Sequence, residues 1–209
     1  MAKTATLQDT FPGSTFNATT WAAFNNMTCS NKALATVNAS TTVYCVLQTQ
    51  VTMDATNSTA VSWLTSAGNQ ALVSLEVYAL QFFLGGGTNG NSNVAFYINQ
   101  NSLSASYDTG AGIVKGATAT YDATKHKYFQ IAESGGTVTW STSADGQHFT
   151  TMYTHADPIT LTAITVQLVA GTYQNEASGT TVTWAEVGSY GPVGPAVKKV
   201  QSLTRAAVY

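Results

Sequence analysis

The feature that most constrains the fold of this chain is its division into many short segments of β type, separated by turn residues. No helical period persists for ten residues in this region, and alternating or continuous apolar runs recur instead. The predicted segments are 27–29, 33–37, 41–53, 58–65, 70–78, 94–99, 127–132, 137–143, 148–154, 159–170 and 180–187. Short strands at this density predict an all-β protein, either a two-sheet sandwich or a barrel.

Composition narrows the class of partner. The 209 residues suit one domain, and only 9% of them are charged against about 25% in an average soluble protein. Eight Lys and Arg with a net charge of −2 provide no basic stripe for a phosphate backbone, so no nucleic-acid partner is predicted. No apolar run reaches the roughly 18 residues of a membrane span, and the start MAKTATLQDTF lacks the apolar core of a signal peptide. We therefore expect no membrane contact and no signal-directed export.

The stretch ESGGTVTWSTSADGQHF, residues 133–149, contains two strong hairpin signals. Gly135-Gly136 and Asp145-Gly146 both suit the two central residues of a type I′ turn. The first turn sets Ile131 opposite Trp140, and the second sets Trp140 opposite Thr151. Both turns then agree on one core-facing set of side chains: Phe129, Ile131, Val138, Trp140, Phe149 and Tyr153.

The acids of the same stretch are predicted to be structural. Glu133 and Asp145 fall at opposite ends of the middle strand, on the order of 20 Å apart. The carboxylates of a glycosidase pair stand about 5 to 9.5 Å apart, so these two do not form such a pair. His148 is expected to be an exposed strand histidine with no nucleophile beside it.

Three segments carry a family resemblance. YDATKHKYFQIAESGGTVTWSTSADGQHFTTM, residues 121–152, resembles the concanavalin A-like, laminin G-like jelly-roll domains common in actinobacterial and bacteriophage virion proteins. DTFPGSTFNATTW (9–21) is similar to the first strand of that family, and LVAGTYQNEASGTTVTWAEV (168–187) to its closing strands. The resemblance implies a two-sheet antiparallel jelly-roll sandwich over residues 1–190.

The resemblance also bears on catalysis. Catalytic members of the family carry a Glu-x-Asp-x-x-Glu strand, which is absent here, and the four glutamates are scattered at positions 76, 133, 176 and 186. No calcium-loop or zinc-ligand spacing is present either. The chain is therefore predicted to be non-enzymatic, without a cofactor or a bound metal.

The C-terminal segment, residues 191–209, is predicted to be a Pro/Gly linker followed by a docking segment, either a short amphipathic helix or an extended arm. The residues expected to dock are Val197, Lys198, Lys199, Val200, Leu203, Arg205 and Tyr209. An exterior-type composition without an export signal fits a virion protein that is made in the host cytoplasm and released by lysis. The main hypothesis is thus a structural bacteriophage protein, a capsid decoration or minor tail protein, with capsid or tail subunits and copies of itself as partners.

A second hypothesis is a carbohydrate-binding module that recognises host or environmental glycans. Such a module needs exposed aromatic side chains beside amide or carboxylate groups. The candidate glycan-binding residues are Trp63, Tyr97, Tyr107, Tyr121 and Tyr173.

Overall fold

The computed structural model describes residues 1–25, 27–37, 43–85, 92–176 and 180–188. Within these residues the chain forms one 3-10 turn, Thr4–Thr6, and a series of β-strands. The strands are β1 (Trp21–Phe24), β2 (Met27–Cys29), β3 (Ala33–Val37), β4 (Val43–Thr49), β5 (Ser58–Ser66), β6 (Leu75–Leu84), β7 (Ser92–Asn99), β8 (Ser102–Asp108), β9 (Ile113–Thr120), β10 (Tyr128–Ser134), β11 (Thr137–Ser143), β12 (Thr150–Ala156), β13 (Thr165–Thr172) and β14 (Thr180–Val187).

The strands form two antiparallel sheets of seven strands each. Sheet I has the order β1-β4-β13-β6-β7-β8-β9, and sheet II has the order β12-β11-β10-β5-β14-β3-β2. The prediction of an all-β, two-sheet antiparallel jelly roll is confirmed. Six of the twelve pairings between these strands join consecutive strands, whereas others, such as that of β4 with β13, close long loops.

The core lies between the two sheets and is closed by hydrogen bonds that cross it. Trp140 and Trp184, both 0% exposed, rise from sheet II. The indole nitrogen of Trp140 donates to the carbonyl of Ala95 at 3.1 Å, and that of Trp184 donates to the carbonyl of Ala79 at 3.1 Å. Each buried indole therefore fills the core and satisfies its one donor on the facing sheet.

A β-bulge in β6 decides which side chains share the outer face of sheet I. The pairing of β6 shifts between Tyr78 and Leu80, which leaves Ala79 outside the register. The Ala79 carbonyl also accepts a hydrogen bond from the Ser62 hydroxyl at 2.7 Å. Because of the extra residue, Gln81 lies on the same outer face as Tyr78, although an odd number of positions separates them.

The Gly135-Gly136 hairpin is confirmed. Both glycines have positive φ, 59° and 81°, as a type I′ turn requires. Ile131 pairs with Trp140 as predicted from the turn alone.

The predicted register of the second hairpin is wrong. Asp145 is not among the residues with positive φ, so a two-residue type I′ turn cannot form there. Its carboxylate instead accepts hydrogen bonds from the backbone of Gln147 at 2.8 Å and of His148 at 2.9 Å, which stabilises a wider loop. Trp140 consequently pairs with Tyr153 instead of Thr151, and the exposed His148 precedes β12 instead of lying in it.

Three strands, β1, β8 and β9, were not predicted. β9 is an edge strand whose residues are mostly exposed, so it carries no apolar alternation. β8 is the reverse case, because small residues such as Ala105 are buried on both of its faces. The predicted strand 70–78 begins five residues late, at Leu75, because residues 70–74 form turns.

The docking-arm residues 191–209 lie outside the described part of the chain. Among the described residues, no helix is both long and apolar enough to span a bilayer.

Candidate functional site

The outer face of sheet I, which points away from the core, is polar and yet largely buried. Seven of its side chains are less than a tenth exposed: Gln81, Asn93, Tyr97, Ser104, Ser106, Asp108 and Gln167. Buried polar side chains are more informative than exposed apolar ones, because each must find hydrogen-bond partners. This face is therefore the first place to look for a binding or catalytic function.

Glu76 on β6 is the centre of a hydrogen-bonded cluster on this face. The Tyr44 hydroxyl donates to its Oε2 at 2.7 Å, and the Tyr97 hydroxyl donates to its Oε1 at 2.5 Å. The Asn99 amide donates in turn to the Tyr97 hydroxyl at 2.9 Å. Three strands, β4, β6 and β7, thus place a carboxylate, two phenols and an amide in one connected group, the Glu76 cluster.

Gly171 explains how Tyr44 reaches Glu76 across a strand. β13 runs between β4 and β6, and Gly171 is the register partner of both Tyr44 and Glu76. With no side chain at that position, the ring of Tyr44 can extend over β13.

The phenols of the Glu76 cluster stay neutral. Burial raises the pKa of Tyr44 and of Tyr97 above the usual tyrosine value, and the neighbouring Glu76 adds to the rise in both cases. Burial also raises the pKa of Tyr78, whose ring lies 5.1 Å from that of Tyr97. All three hydroxyls therefore keep their protons and remain available as hydrogen-bond donors.

A row of residues, polar except for Ala95, runs beside the Glu76 cluster across six strands of sheet I. It follows the register from Gln48 through Gln167, Gln81, Ala95 and Ser106 to Lys115. The Gln167 amide donates to the Gln48 carbonyl oxygen at 3.0 Å. At the other end, the Lys115 ammonium lies 5.3 Å from the centroid of the Tyr97 ring.

The outward residues on β6 have a spacing that was not recognised from the sequence. Glu76-x-Tyr78-x-x-Gln81 has the spacing of the Glu-x-Asp-x-x-Glu motif, with only the first acid retained. The bulge at Ala79 places all three side chains on one face. A search for the spacing with substituted residues, instead of the three acids together, would have found this strand.

Of the five predicted glycan-binding aromatics, only Tyr97 belongs to the Glu76 cluster. Trp63 lies on the outer face of sheet II, where it stacks on Tyr128 with centroids 5.3 Å apart. Tyr107 packs against the core and lies 4.6 Å from the ring of His155.

The other two aromatics directly follow the ends of strands β9 and β13. Tyr121 lines a polar cleft with Gln70 and Asn101, and burial raises its pKa to about 12. Tyr173 is 49% exposed and donates its hydroxyl hydrogen bond to the Val73 carbonyl at 3.0 Å.

Glu133, beside the Gly135-Gly136 turn, is held by the backbone of two turns. It is 4% exposed and accepts hydrogen bonds from the backbone nitrogens of Asn57 and, at 2.6 Å, of Gly136. These contacts link the turn before β5 to the turn after β10. In the described part of the chain, no group of three or more His, Cys, Asp or Glu residues is placed to hold a metal ion.

No protein-family model matches the chain, and no curated protein matches it significantly. Solved structures do match. A β-glucanase of Bacillus licheniformis superposes with a TM-score of 0.65 at 10% identity, over 87% of this chain and 95% of that one. A laminarinase of Flavobacterium sp. UMI-01 gives 0.63 at 8% identity, over 88% and 98%, and porphyranase B of Zobellia galactanivorans gives 0.57 at 10%, over 86% and 91%. At such low identity these structures show that the chain shares the concanavalin A-like jelly-roll fold.

The exclusion of enzyme activity drawn from the sequence is therefore wrong. These three solved structures, which match most of this chain, are a β-glucanase, a laminarinase and a porphyranase, and the strand judged to lack the motif retains its spacing and its first acid. The predicted virion association finds no support among these structures. Virion location and the docking partners stay predictions from the sequence.

Proposed function

We propose that this protein binds a polysaccharide chain on the outer face of sheet I, around Glu76. The observation that carries the proposal is the Glu76 cluster, a carboxylate held between two neutral tyrosine hydroxyls on a largely buried polar face. The fold shared with several glycan-degrading enzymes supports the same class of ligand.

The chemistry of the cluster matches that of sugar hydroxyls, which donate and accept hydrogen bonds at once. Glu76 supplies acceptors, and the Tyr44 and Tyr97 hydroxyls supply donors that can turn from Glu76 to a ligand. The ring faces of Tyr78 and Tyr97 add apolar surface of the kind that sugar rings pack against.

The size of the polar row fits a chain of sugars better than a single one. Neighbouring strands lie about 4.8 Å apart, so the row from Gln48 to Lys115 spans on the order of 24 Å. An oligosaccharide lying across the strands would contact the amides of the row on one side and the Glu76 cluster on the other.

Hydrolysis of a glycosidic bond is the second candidate function. The retained spacing from Glu76 to Gln81 favours it, because glycoside hydrolysis uses two carboxyl groups on either side of the bond. Glu76 would be the carboxylate that acts on the sugar ring. Gln81 holds the second position with an amide, which donates hydrogen bonds but cannot transfer a proton as an acid does.

Binding is tested by retardation of the native protein in gels that contain mixed-linkage β-glucan, laminarin, porphyran or mucin. We expect retardation by at least one polymer, and at least a tenfold weaker apparent affinity for Glu76→Gln and Tyr97→Phe. Asp145→Asn, which alters an exposed loop carboxylate, is the matched control and should bind like the natural chain. Retardation that is unchanged in Glu76→Gln, or absent with all four polymers, would contradict the proposal.

Hydrolysis is tested by measuring reducing ends released from the same polymers. If the second candidate function is correct, the natural chain releases reducing ends and the Glu76→Gln variant releases none. Gln81→Glu restores a second carboxyl group at the motif position and should raise the rate at least tenfold. If Gln81→Glu folds, binds the polymer and releases no more reducing ends than the natural chain, the two positions do not form a catalytic pair.

A further inference from the structure

Trp63 stands on the outer face of sheet II, on the opposite side of the sandwich from Glu76. Tyr128, its register partner on β10, stacks against one side of its ring with 22° between the planes. The far side of the Tyr128 ring is covered by Gly146, where an added Cβ would lie 3.0 to 3.2 Å from ring atoms. The order across the face is therefore Gly146, Tyr128 and Trp63, which leaves the other side of Trp63 uncovered by this stack.

Glu186 lies on that other side. It is the register partner of Trp63 on β14, the strand that flanks β5 away from β10. Its side chain is half-buried, and burial raises its pKa. Within the described residues its carboxyl group has no hydrogen bond and no ion pair, so an acceptor is left open beside an aromatic ring.

The indole nitrogen of Trp63 distinguishes it from the other tryptophans. Trp21, Trp140 and Trp184 are at most 2% exposed, and each donates its indole hydrogen bond to an oxygen of the chain at 2.7 to 3.1 Å. Trp63 is partly exposed, and no acceptor lies within hydrogen-bond distance of its indole nitrogen in the described part of the chain. The open ring face of Trp63, its indole N–H donor and the Glu186 carboxyl acceptor thus lie together without partners among the described residues.

We propose that Trp63 and Glu186 form a second saccharide site, which holds one pyranose ring of a polysaccharide against sheet II. The sugar ring stacks on the open face of Trp63, one hydroxyl accepts from the indole nitrogen and another donates to Glu186. A quaternary ammonium ligand would use the aromatic ring and the carboxylate but leave the indole donor unused. The combination therefore favours a sugar.

Two sites on opposite faces change how the protein engages a polymer. A soluble polysaccharide that contacts both faces, or two chains bound by one molecule, would be held more tightly than by either face alone. The second site goes beyond the proposed function, because it uses no residue of the outer face of sheet I.

Quenching of tryptophan fluorescence by acrylamide tests the second site in the intact protein, because Trp63 is the one tryptophan of the four that is not fully buried. The probes are mixed-linkage β-glucan, laminarin, porphyran and mucin, with choline as the cationic comparison. At a saturating concentration we expect at least one polymer to reduce quenching at least twofold, and to the same extent in the natural chain and in Glu76→Gln. Choline should give no protection.

Variants on sheet II complete the experiment. Glu186→Ala should raise the polymer concentration needed for half-protection at least threefold, whereas Thr65→Ala, an exposed neighbour on β5, should leave it unchanged. Protection that is lost in Glu76→Gln would assign the signal to sheet I and overturn the second site. The second site would also be overturned by protection with choline, by protection that is unchanged in Glu186→Ala, or by a lack of protection with all of the polymers. Failure of the sheet I proposal has a different signature, namely gel retardation that does not depend on Glu76.

Discussion

Glu76 and Glu133 are both glutamates with two hydrogen-bonded carboxylate oxygens, but their donors differ. Glu133 receives hydrogen bonds from backbone nitrogens of Asn57 and Gly136, which belong to two turns. Glu76 receives them from the side-chain hydroxyls of Tyr44 and Tyr97, which stand on neighbouring parts of a sheet face. A backbone donor cannot leave its acceptor without unfolding the turn, whereas a hydroxyl can rotate to a ligand. The kind of donor, backbone nitrogen or side-chain hydroxyl, therefore distinguishes a structural carboxylate from one that is available for function.

The largest effect is expected from Glu133→Ala. The substitution removes two hydrogen bonds from the backbone nitrogens of Asn57 and Gly136 to a charged carboxylate, which should lower the free energy of unfolding by about 3 kcal/mol. Urea denaturation at pH 7 measures it. Glu133→Gln keeps one acceptor oxygen and should cost about half as much. A loss below about 1 kcal/mol for the alanine variant would remove the distinction between the two acids.

Glu76→Ala should show the reverse pattern. The Tyr44 hydroxyl can turn to water after the carboxylate is removed, and the Tyr97 hydroxyl keeps the hydrogen bond from Asn99, so the free energy of unfolding should fall by about 1.5 kcal/mol, half the loss expected for Glu133→Ala. Polysaccharide affinity should fall at least tenfold, which corresponds to about 1.4 kcal/mol. Denaturation and gel retardation on the same preparation check both halves. A variant that unfolds as readily as Glu133→Ala would make Glu76 a structural residue.

Tyr97→Phe and Tyr44→Phe divide the Glu76 cluster further. Tyr97 is 5% exposed, and its hydroxyl also accepts a hydrogen bond from Asn99. Removal of this hydroxyl in Tyr97→Phe should therefore cost about 1 kcal/mol of stability. Tyr44 is more exposed and makes one of the two contacts to Glu76, so Tyr44→Phe should cost about half as much. Equal effects in thermal unfolding would show that the Asn99 bond contributes nothing.

Asp54 accepts from a third kind of donor, a lysine ammonium, and should show a small, pH-dependent effect. Hydrogen bonds from the Lys3 ammonium, at 2.7 Å, and from Thr56 lower the pKa of Asp54 from its usual 3.8 to about 2. A lowered folded-state pKa contributes stability that is fully present above the unfolded value and is lost as the pH falls through the folded one. The difference in urea midpoint between the natural chain and Asp54→Asn should therefore be constant above about pH 5 and shrink between pH 4 and 2. A difference that persists unchanged at pH 2 would contradict this assignment.

The sequence predicted local features well where the turn chemistry was complete. Gly135 and Gly136 specify their hairpin because only that turn suits two residues with positive φ, and the Ile131–Trp140 pairing follows from it. Asp145-Gly146 has the same appearance, yet the Asp145 side chain binds its own loop and the register changes. Side-chain hydrogen bonds of that kind are not visible in a pattern of turn residues.

The candidate sites were harder to predict than the fold. Glu76 was overlooked because the motif was required to have all three acids on one strand. The bulge at Ala79, which aligns Gln81 with Glu76, is set by the pairing of β6 with two other strands. Trp63 was predicted as a glycan-binding residue on its side-chain type alone. Its neighbour Glu186 lies 123 positions away, and no local rule connects the two.

The sequence by itself determined that this protein is all-β, because alternation and turn residues act over a few positions and recur along the chain, and the resemblance to a known family favoured a sandwich over a barrel. The tertiary structure alone decided which outward-facing residues meet. Tyr44, Glu76 and Tyr97 come together because β13, from the far end of the chain, inserts between β4 and β6 and presents Gly171 where a side chain would block the contact. Strand order in a sheet is set by long-range packing of the core, and the outer faces inherit their groups of side chains from it.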